Sequence, residues 1–233
     1  MNITKNTLLI DIIMFIKRGV EMKKVVILNG SPRKNWNTYK MCESFANGVK
    51  ESGADAEIIN LYDIDFKGCR SCFACKLKDG KNFGRCAYPD GLTPILDKIA
   101  QSDGVVFATP IYYGDITGVM KSCIERLLFP FFEYKEGFPS IAPKKLKTAI
   151  IYTMNVDEKT CEDLYSSTLN RFEWFVELVF SKPERIFAYD TCQFSNYDKY
   201  VCECFDKVHK MKRKEQQLPK ELEKAFNIGK KFV

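Results

Sequence analysis

The chain has 233 residues, 45% hydrophobic and 28% charged, with 36 basic against 30 acidic side chains and a formal charge of +6. That length suits one domain with a substantial core, and the composition is ordinary for a soluble globular protein. Many lysines lie in the last third on helix-like faces without interleaved aromatics, so a solvated surface is expected and a nucleic-acid groove is not.

Residues 8–16 form an apolar run like a signal-peptide core, but Asp11 interrupts it, Lys17 and Arg18 follow directly, and no small-residue cleavage site appears. The run is also too short to span a bilayer. The expectation is a cytoplasmic protein without a membrane span, its ten cysteines reduced or bound rather than paired as disulfides. Residues 1–21 read as an N-terminal extension, either a short amphipathic helix or an upstream segment, because Met22 directly precedes the first strand.

From Lys23 onward strand and helix patterns alternate. Strands are expected at 25–29, 56–61, 104–109, 148–152 and 185–189, mostly continuous apolar runs that suit strands buried on both faces of a parallel sheet. Between them, Cys42, Phe45, Ala46 and Val49 share one helix face, and Leu92, Ile95, Leu96 and Ile99 another, with Thr93-Pro94 as its start. The clearest stripe is Ile116, Val119, Met120, Cys123, Ile124 and Leu127; Phe172, Phe175, Val176 and Val179 make a fourth. Two tail helices are expected, one through Val201, Phe205 and Val208 and one through Leu218, Leu222 and Phe226. The pattern specifies an α/β fold, an open doubly wound sheet of five parallel strands with helices on both faces. Its divisions are an extension (1–21), a main domain (22–190) and a C-terminal helical extension of that domain (191–233).

Ligands in such a sheet bind beyond the carboxyl ends of the strands, where strand order reverses. After the first strand comes Gly30-Ser31-Pro32-Arg33-Lys34-Asn35-Trp36-Asn37-Thr38. Backbone N–H groups at a helix N-terminus, with hydroxyl, amide and cationic side chains around them, suit a phosphate. The loop lacks the further glycines of a dinucleotide fingerprint and the Gly-Lys-Ser/Thr ending of a P-loop. After the third strand, Pro110-Ile111-Tyr112-Tyr113-Gly114 offers adjacent aromatics and a glycine, a slot for a planar heteroaromatic. A phosphate cradle and an aromatic slot on one sheet edge describe a flavin mononucleotide (FMN) site.

The first of these stretches resembles the phosphate loop of the NADPH-dependent FMN reductase and iron–sulfur flavoprotein family. The second, continuing to Lys121 and Glu125-Arg126, resembles that family's isoalloxazine loop and following helix. The resemblance covers residues 22–189 and implies a flavodoxin-like fold. It implies FMN held at Ser31, Arg33, Asn37 and Thr38 through its phosphate, with Pro32 and Asn35 in the same loop. The ring would lie at Pro110, Ile111, Tyr112, Tyr113 and Gly114, with Thr153, Met154 and Asn155 closing over it. It further implies hydride transfer from NADPH or NADH to the flavin, electron transfer to a small-molecule or protein acceptor, and a homodimer or larger assembly. No side chain is then required as general acid or base. Trp36 has no assigned role in the loop, and the single histidine, His209, reads as surface or packing.

Cys69, Cys72 and Cys75 have the C-x2-C-x2-C spacing of cluster ligands, and Cys86 follows after ten intervening residues. Four thiolates can hold a [4Fe–4S] cluster or a tetrahedral zinc, and thiols that pack or cycle redox states would need neither. The loop is expected on the ligand edge of the sheet. Cys202 and Cys204, one residue apart on an expected helix, share no site. Two other functions fit parts of the pattern: an iron–sulfur flavoprotein that carries electrons between protein partners, and a cysteine-rich metal-binding module without flavin.

Overall fold

Successive residues of the first strand leave the sheet on opposite faces, and each face finds its own core. In β1 (Lys24–Asn29), Val25 and Ile27 pack with Phe45, Val49 and Phe232, while Val26 and Leu28 pack with Ile99, Phe107, Leu127 and Val176. The computed structural model describes residues 22–233; the expected extension at 1–21 lies outside the described residues.

The parallel strands β1, β2 (Asp55–Asn60), β3 (Gly104–Tyr112), β5 (Lys147–Thr153) and β6 (Glu184–Ala188) lie in the order β2-β1-β3-β5-β6. Order reverses between β1 and β3, which run in register from Val25 opposite Gly104 to Asn29 opposite Ala108. One face is covered by α1 (Asn37–Glu51) and α7 (Leu218–Lys230), the other by α2 (Thr93–Gln101), α3 (Gly118–Leu128) and α5 (Ser166–Val179). The remaining helices are α4 (Glu158–Leu164), which the sequence pattern did not suggest, and α6 (Lys207–Gln216), which lies against α7. No helix among the described residues is long and apolar enough to cross a membrane.

The structure departs from the sequence pattern in several details. β3 continues through Tyr112 and returns as the two-residue antiparallel strand β4 (Asp115–Ile116), so the sheet has six strands and Ile116 belongs to β4, not to the α3 stripe. Tyr113 and Gly114, at φ of 51° and 77°, make the two-residue turn that such a hairpin requires. The first tail helix starts at Lys207, where the Asp206 carboxylate accepts the Val208 and His209 N–H groups. Val201 is fully exposed, and Cys202 and Cys204 lie in the irregular segment before that cap. On α5, Phe175 is exposed beside Trp174 while Leu169 completes the buried stripe.

The α1–α7 crossing is set by two glycines. A Cβ on Gly48 would fall on the Phe226 carbonyl oxygen, and one on Gly229 on that of Phe45. Glycine inside a helix is unfavourable, and here close backbone approach supplies the reason for it. Gly48→Ala should therefore destabilise the fold by about 3 kcal/mol or more. Gly118→Ala, whose Cβ meets nothing within 4 Å, should be neutral or mildly stabilising; urea denaturation of both variants checks the difference.

Candidate functional site

The first loop is shaped by the buried end of β1. Asn29 Nδ2 donates to Asn60 Oδ1 at 2.9 Å, and its Oδ1 accepts the Ser31 N–H at 3.1 Å, which turns the chain upward at Gly30. The Gly30 carbonyl accepts the Thr117 hydroxyl at 2.9 Å, and Thr117 N donates to Thr109 Oγ1 at 3.1 Å. A Cβ on Gly30 would stand 3.0 Å from Thr117 Oγ1 and 3.1 Å from Met120, so glycine lets the loop and the start of α3 meet closely and a larger residue would have to push those side chains back by a few tenths of an ångström.

Beyond it, Ser31 Oγ accepts the Arg33 N–H at 3.2 Å, and α1 begins after Trp36 with no side-chain cap, leaving its first-turn N–H groups facing the loop. Trp36, which had no role in the sequence reading, carries the Arg33 guanidinium 4.0 Å above its ring. Arg33 Nη1 donates to the Gln193 carbonyl at 2.6 Å, while Trp36 Nε1 and Asn37 Nδ2 both donate to the Cys192 carbonyl, at 3.2 and 2.9 Å. Three side-chain donors from one loop thus converge on two carbonyl oxygens. Thr38 and Thr153 hydroxyls meet at 2.7 Å and tie the first loop to the end of β5.

Ser31, Arg33, Asn37, Thr38, Pro110, Ile111, Tyr112, Thr153, Met154 and Asn155 line one cavity of about 150 Å³. The structure thus brings the three predicted segments together. Pro32, Asn35, Tyr113 and Gly114 lie outside the cavity wall. The expected pair of slot tyrosines is a single one: Tyr112 lines the cavity, while Tyr113 is fully exposed at the hairpin tip, because the turn sets the two residues on different sides. Burial raises the Tyr112 phenol above its ordinary value, Tyr62 adds to this and Arg33 opposes it.

Sequence reasoning missed the fourth wall, Thr191, Cys192 and Gln193, which follows β6. The rule of strand carboxyl ends, applied to the last strand as well, would have found it. This segment is held by the tail. Asp190, in the left-handed region at φ 53°, pairs with the ammonium of Lys210, with His209 Nε2 at 2.6 Å and with Arg213 Nε at 3.5 Å. Lys210 is only 1% exposed and also donates to the Asn155 carbonyl at 2.7 Å. Burial alone would raise the Asp190 carboxyl, but hydrogen bonds from Lys210 and His209 outweigh it and hold the group below its usual range. Next to them Glu221 is pushed up to about 7 by burial, with Arg213 opposing.

The residues fit FMN chemically. The donors at the start of α1 suit a phosphomonoester. Asn155 Oδ1, in the cavity wall, is buried with no hydrogen-bond partner among the described residues while its Nδ2 donates to Gln193; that oxygen is an acceptor suited to a ring N–H.

Cys69, Cys72, Cys75 and Cys86 line a second cavity, of about 230 Å³. The coil that carries them is tight, with Ser71 and Phe73 both at positive φ. Contrary to expectation it leaves the sheet edge and packs on the C-terminal half of α3. Cys69 N donates to Glu125 at 3.2 Å, seven residues or about 10 Å along the helix from Gly118. Arg126, 2% exposed, reaches Cys86 Sγ with Nε at 3.3 Å and braces the coil through Asp90 and the carbonyls of Lys67 and Tyr88. Burial raises the Cys75 thiol. Among the described residues no three His, Cys, Asp or Glu side chains stand at ligating separation, so the thiols share a cavity without being drawn together. As a donor set, four thiols around one cavity suit a cluster or zinc.

A family model described as NADPH-dependent FMN reductase matches residues 23–142. An iron–sulfur flavoprotein of Archaeoglobus fulgidus is 41% identical over 103 residues, 44% of this chain and 48% of that protein. One from Methanocaldococcus jannaschii is 31% identical over 103 residues, 44% and 51% of the two chains. The chain therefore spans about half the length of the curated relatives it matches. Among solved structures, an NAD(P)H:quinone oxidoreductase from Methanothermobacter marburgensis superposes with a TM-score of 0.67 at 14% identity, covering 91% of this chain and 100% of that one. An azoreductase from Bacillus anthracis gives 0.65 at 17% identity with the same coverage. These likenesses show the flavodoxin-like fold.

Lys210→Met leaves Asp190 and the Asn155 carbonyl without their buried partner. It should cost about 1–3 kcal/mol in urea denaturation and release the 190–193 segment, seen as faster amide exchange there. Glu221 titrates higher folded than unfolded, so the unfolded state binds fewer protons and stability should fall as pH rises from about 4.5 to about 7. Glu221→Gln should flatten that part of the stability–pH profile.

Proposed function

Since the chain belongs to the NADPH-dependent FMN reductase family, we propose that it is an FMN-dependent oxidoreductase that takes hydride from NADPH or NADH and passes electrons to a flavin, quinone or other acceptor. One observation carries the reading: segments from the carboxyl ends of β1, β3 and β5 line a single cavity, with the converging donors of Arg33, Trp36 and Asn37 at its wall. FMN, when bound, accepts hydride and returns electrons singly or in pairs, chemistry no side chain here supplies.

The protein's own work is binding and orientation. Arg33, Asn37, Thr38 and the open first turn of α1 hold the phosphate. The Cys192 and Gln193 carbonyls that use these donors have to yield as the cofactor seats. Pro110, Ile111 and Tyr112 make the apolar wall for the ring, and Asn155 offers its spare oxygen to a ring N–H. Pro32, Asn35, Tyr113 and Gly114 shape the loops around it. In this reading residues 22–190 are the FMN domain and 191–233 an extension that holds its cap. The protein is cytoplasmic and works as a homodimer or larger assembly.

A second reading, favoured by the four thiols lining one cavity, adds a [4Fe–4S] cluster on Cys69, Cys72, Cys75 and Cys86 and makes the chain an electron carrier between protein partners. Curated relatives carry the name iron–sulfur flavoprotein.

FMN titration of the flavin-free chain should give one site per chain, and the loaded protein should oxidise NADPH or NADH with a quinone present. Asn37→Leu should raise the FMN dissociation constant about tenfold, a loss of about 1.4 kcal/mol. No FMN uptake would end the first reading. Anaerobic preparation with about four irons per chain would establish the second, and an iron-free protein would remove it.

A further inference from the structure

A cavity of about 710 Å³ opens where the amino ends of β5 and β6 meet α7. Lys147 and Thr148 begin β5 and line it, while Thr153 at the other end of that strand lines the proposed flavin cavity. That length of strand spans about 20 Å, and the two cavities share no residue.

The charge around it is one-sided. Lys147, Lys182, Lys220, Lys224 and Lys231 face Glu184 and Glu223, a net +3 that is half the charge of the whole chain. All seven side chains are exposed, and none forms an ion pair among the described residues.

Lysines of a tail helix are expected on a solvated face, and Lys220, Lys224 and Lys231 do recur at helical spacing along one side of α7. Here that side looks onto a concavity, and the facing wall adds Lys147 and Lys182 from elsewhere in the chain. The helix dipole accounts for Lys231, at the carboxyl end, but not for Lys220, which stands in the first turn where a cation is repelled.

A cleft lined by one sign of charge focuses the field and concentrates ligands of the other sign. Ammonium groups act as separate point charges. Five of them, spread over three segments, suit several linked anionic groups better than a single carboxylate or phosphate. Asn227 and Ile228 add an amide and an apolar surface between the α7 lysines. Phe232, the one aromatic in the wall, is 5% exposed, so the cavity offers the bases of a nucleic acid no stacking surface.

We propose that this cavity binds a triphosphate group, free or carried by a nucleotide, on its five lysines. The site is independent of the flavin reading, because it lies at the other end of the sheet.

Isothermal titration of the full chain with inorganic triphosphate and with ATP, at about 150 mM salt, tests this. One triphosphate should bind per chain and raise the thermal unfolding midpoint. Lys182→Glu and Lys224→Glu, one from each wall, should each weaken binding about tenfold. Lys199→Glu, exposed and outside the cavity, makes the same change in net charge and should leave binding unaltered. Glu223→Gln should tighten it. The unfolding midpoint of each variant without ligand checks that it folds. Tighter binding of ATP than of inorganic triphosphate identifies a nucleotide as the ligand; otherwise the ligand is the bare phosphate chain. The proposal is overturned by no binding, by binding that FMN displaces, or by binding that Lys199→Glu weakens as much as Lys224→Glu. Tighter binding of a single-stranded oligonucleotide than of either probe also overturns it.

Discussion

The loops after β1 and β3 depend on one contact between a side-chain hydroxyl and a backbone carbonyl. The Gly30 carbonyl accepts the Thr117 hydroxyl, and a side chain on Gly30 would crowd that hydroxyl and Met120. Because Thr117 also caps α3 and ties back to Thr109, the contact sets the first loop, the β3–β4 hairpin and the start of α3 in mutual register. The aromatic wall and the donor cluster are then parts of one cavity by construction, not two loops that happen to meet.

Around that contact the fold uses buried charge to specify loop positions. Lys210 pins the segment after β6 to the end of β5, and Arg126 pins the cysteine coil to α3. Neither arrangement is a strong argument for stability, since desolvating such groups offsets much of their attraction. Their geometry is specific, however: each cation makes several directed hydrogen bonds that an apolar replacement would not reproduce. Lys76 does similar service in a softer way, its ammonium 4.8 Å from the Phe129 ring and 4.6 Å from that of Phe132, joining the cysteine coil to the turn after α3.

The strands and most helices were legible because a parallel strand buried on both faces must be apolar throughout, and a covering helix must carry one stripe. Gly30 to Thr38 was legible because few other structures need so many hydrogen-bonding side chains after a strand. The hairpin was not, since Pro110 reads as a strand break and the positive φ of Tyr113 leaves no mark in the residue type. The cap at Cys192 was hidden by distance: its bond to Asn37 spans 155 residues. His209 looked like surface, and it is half exposed, but its ring nitrogen meets Asp190, which only the tertiary fold reveals. The first tail helix was misplaced because Val201, Phe205 and Val208 mimic a helical stripe, while the true boundary lies in one capping aspartate.

The glycine-lined crossing of α1 and α7 bears on synthesis. The face of α1 that carries Phe45 is finished by α7 and by the Phe232 ring, 5.0 Å away and far along the chain from it. During synthesis, the helix that follows the donor loop therefore waits with its apolar face uncovered until α7 and Phe232 have been made. Its closure is a late, long-range event, the kind that exposes a nascent chain longest to aggregation and to chaperones.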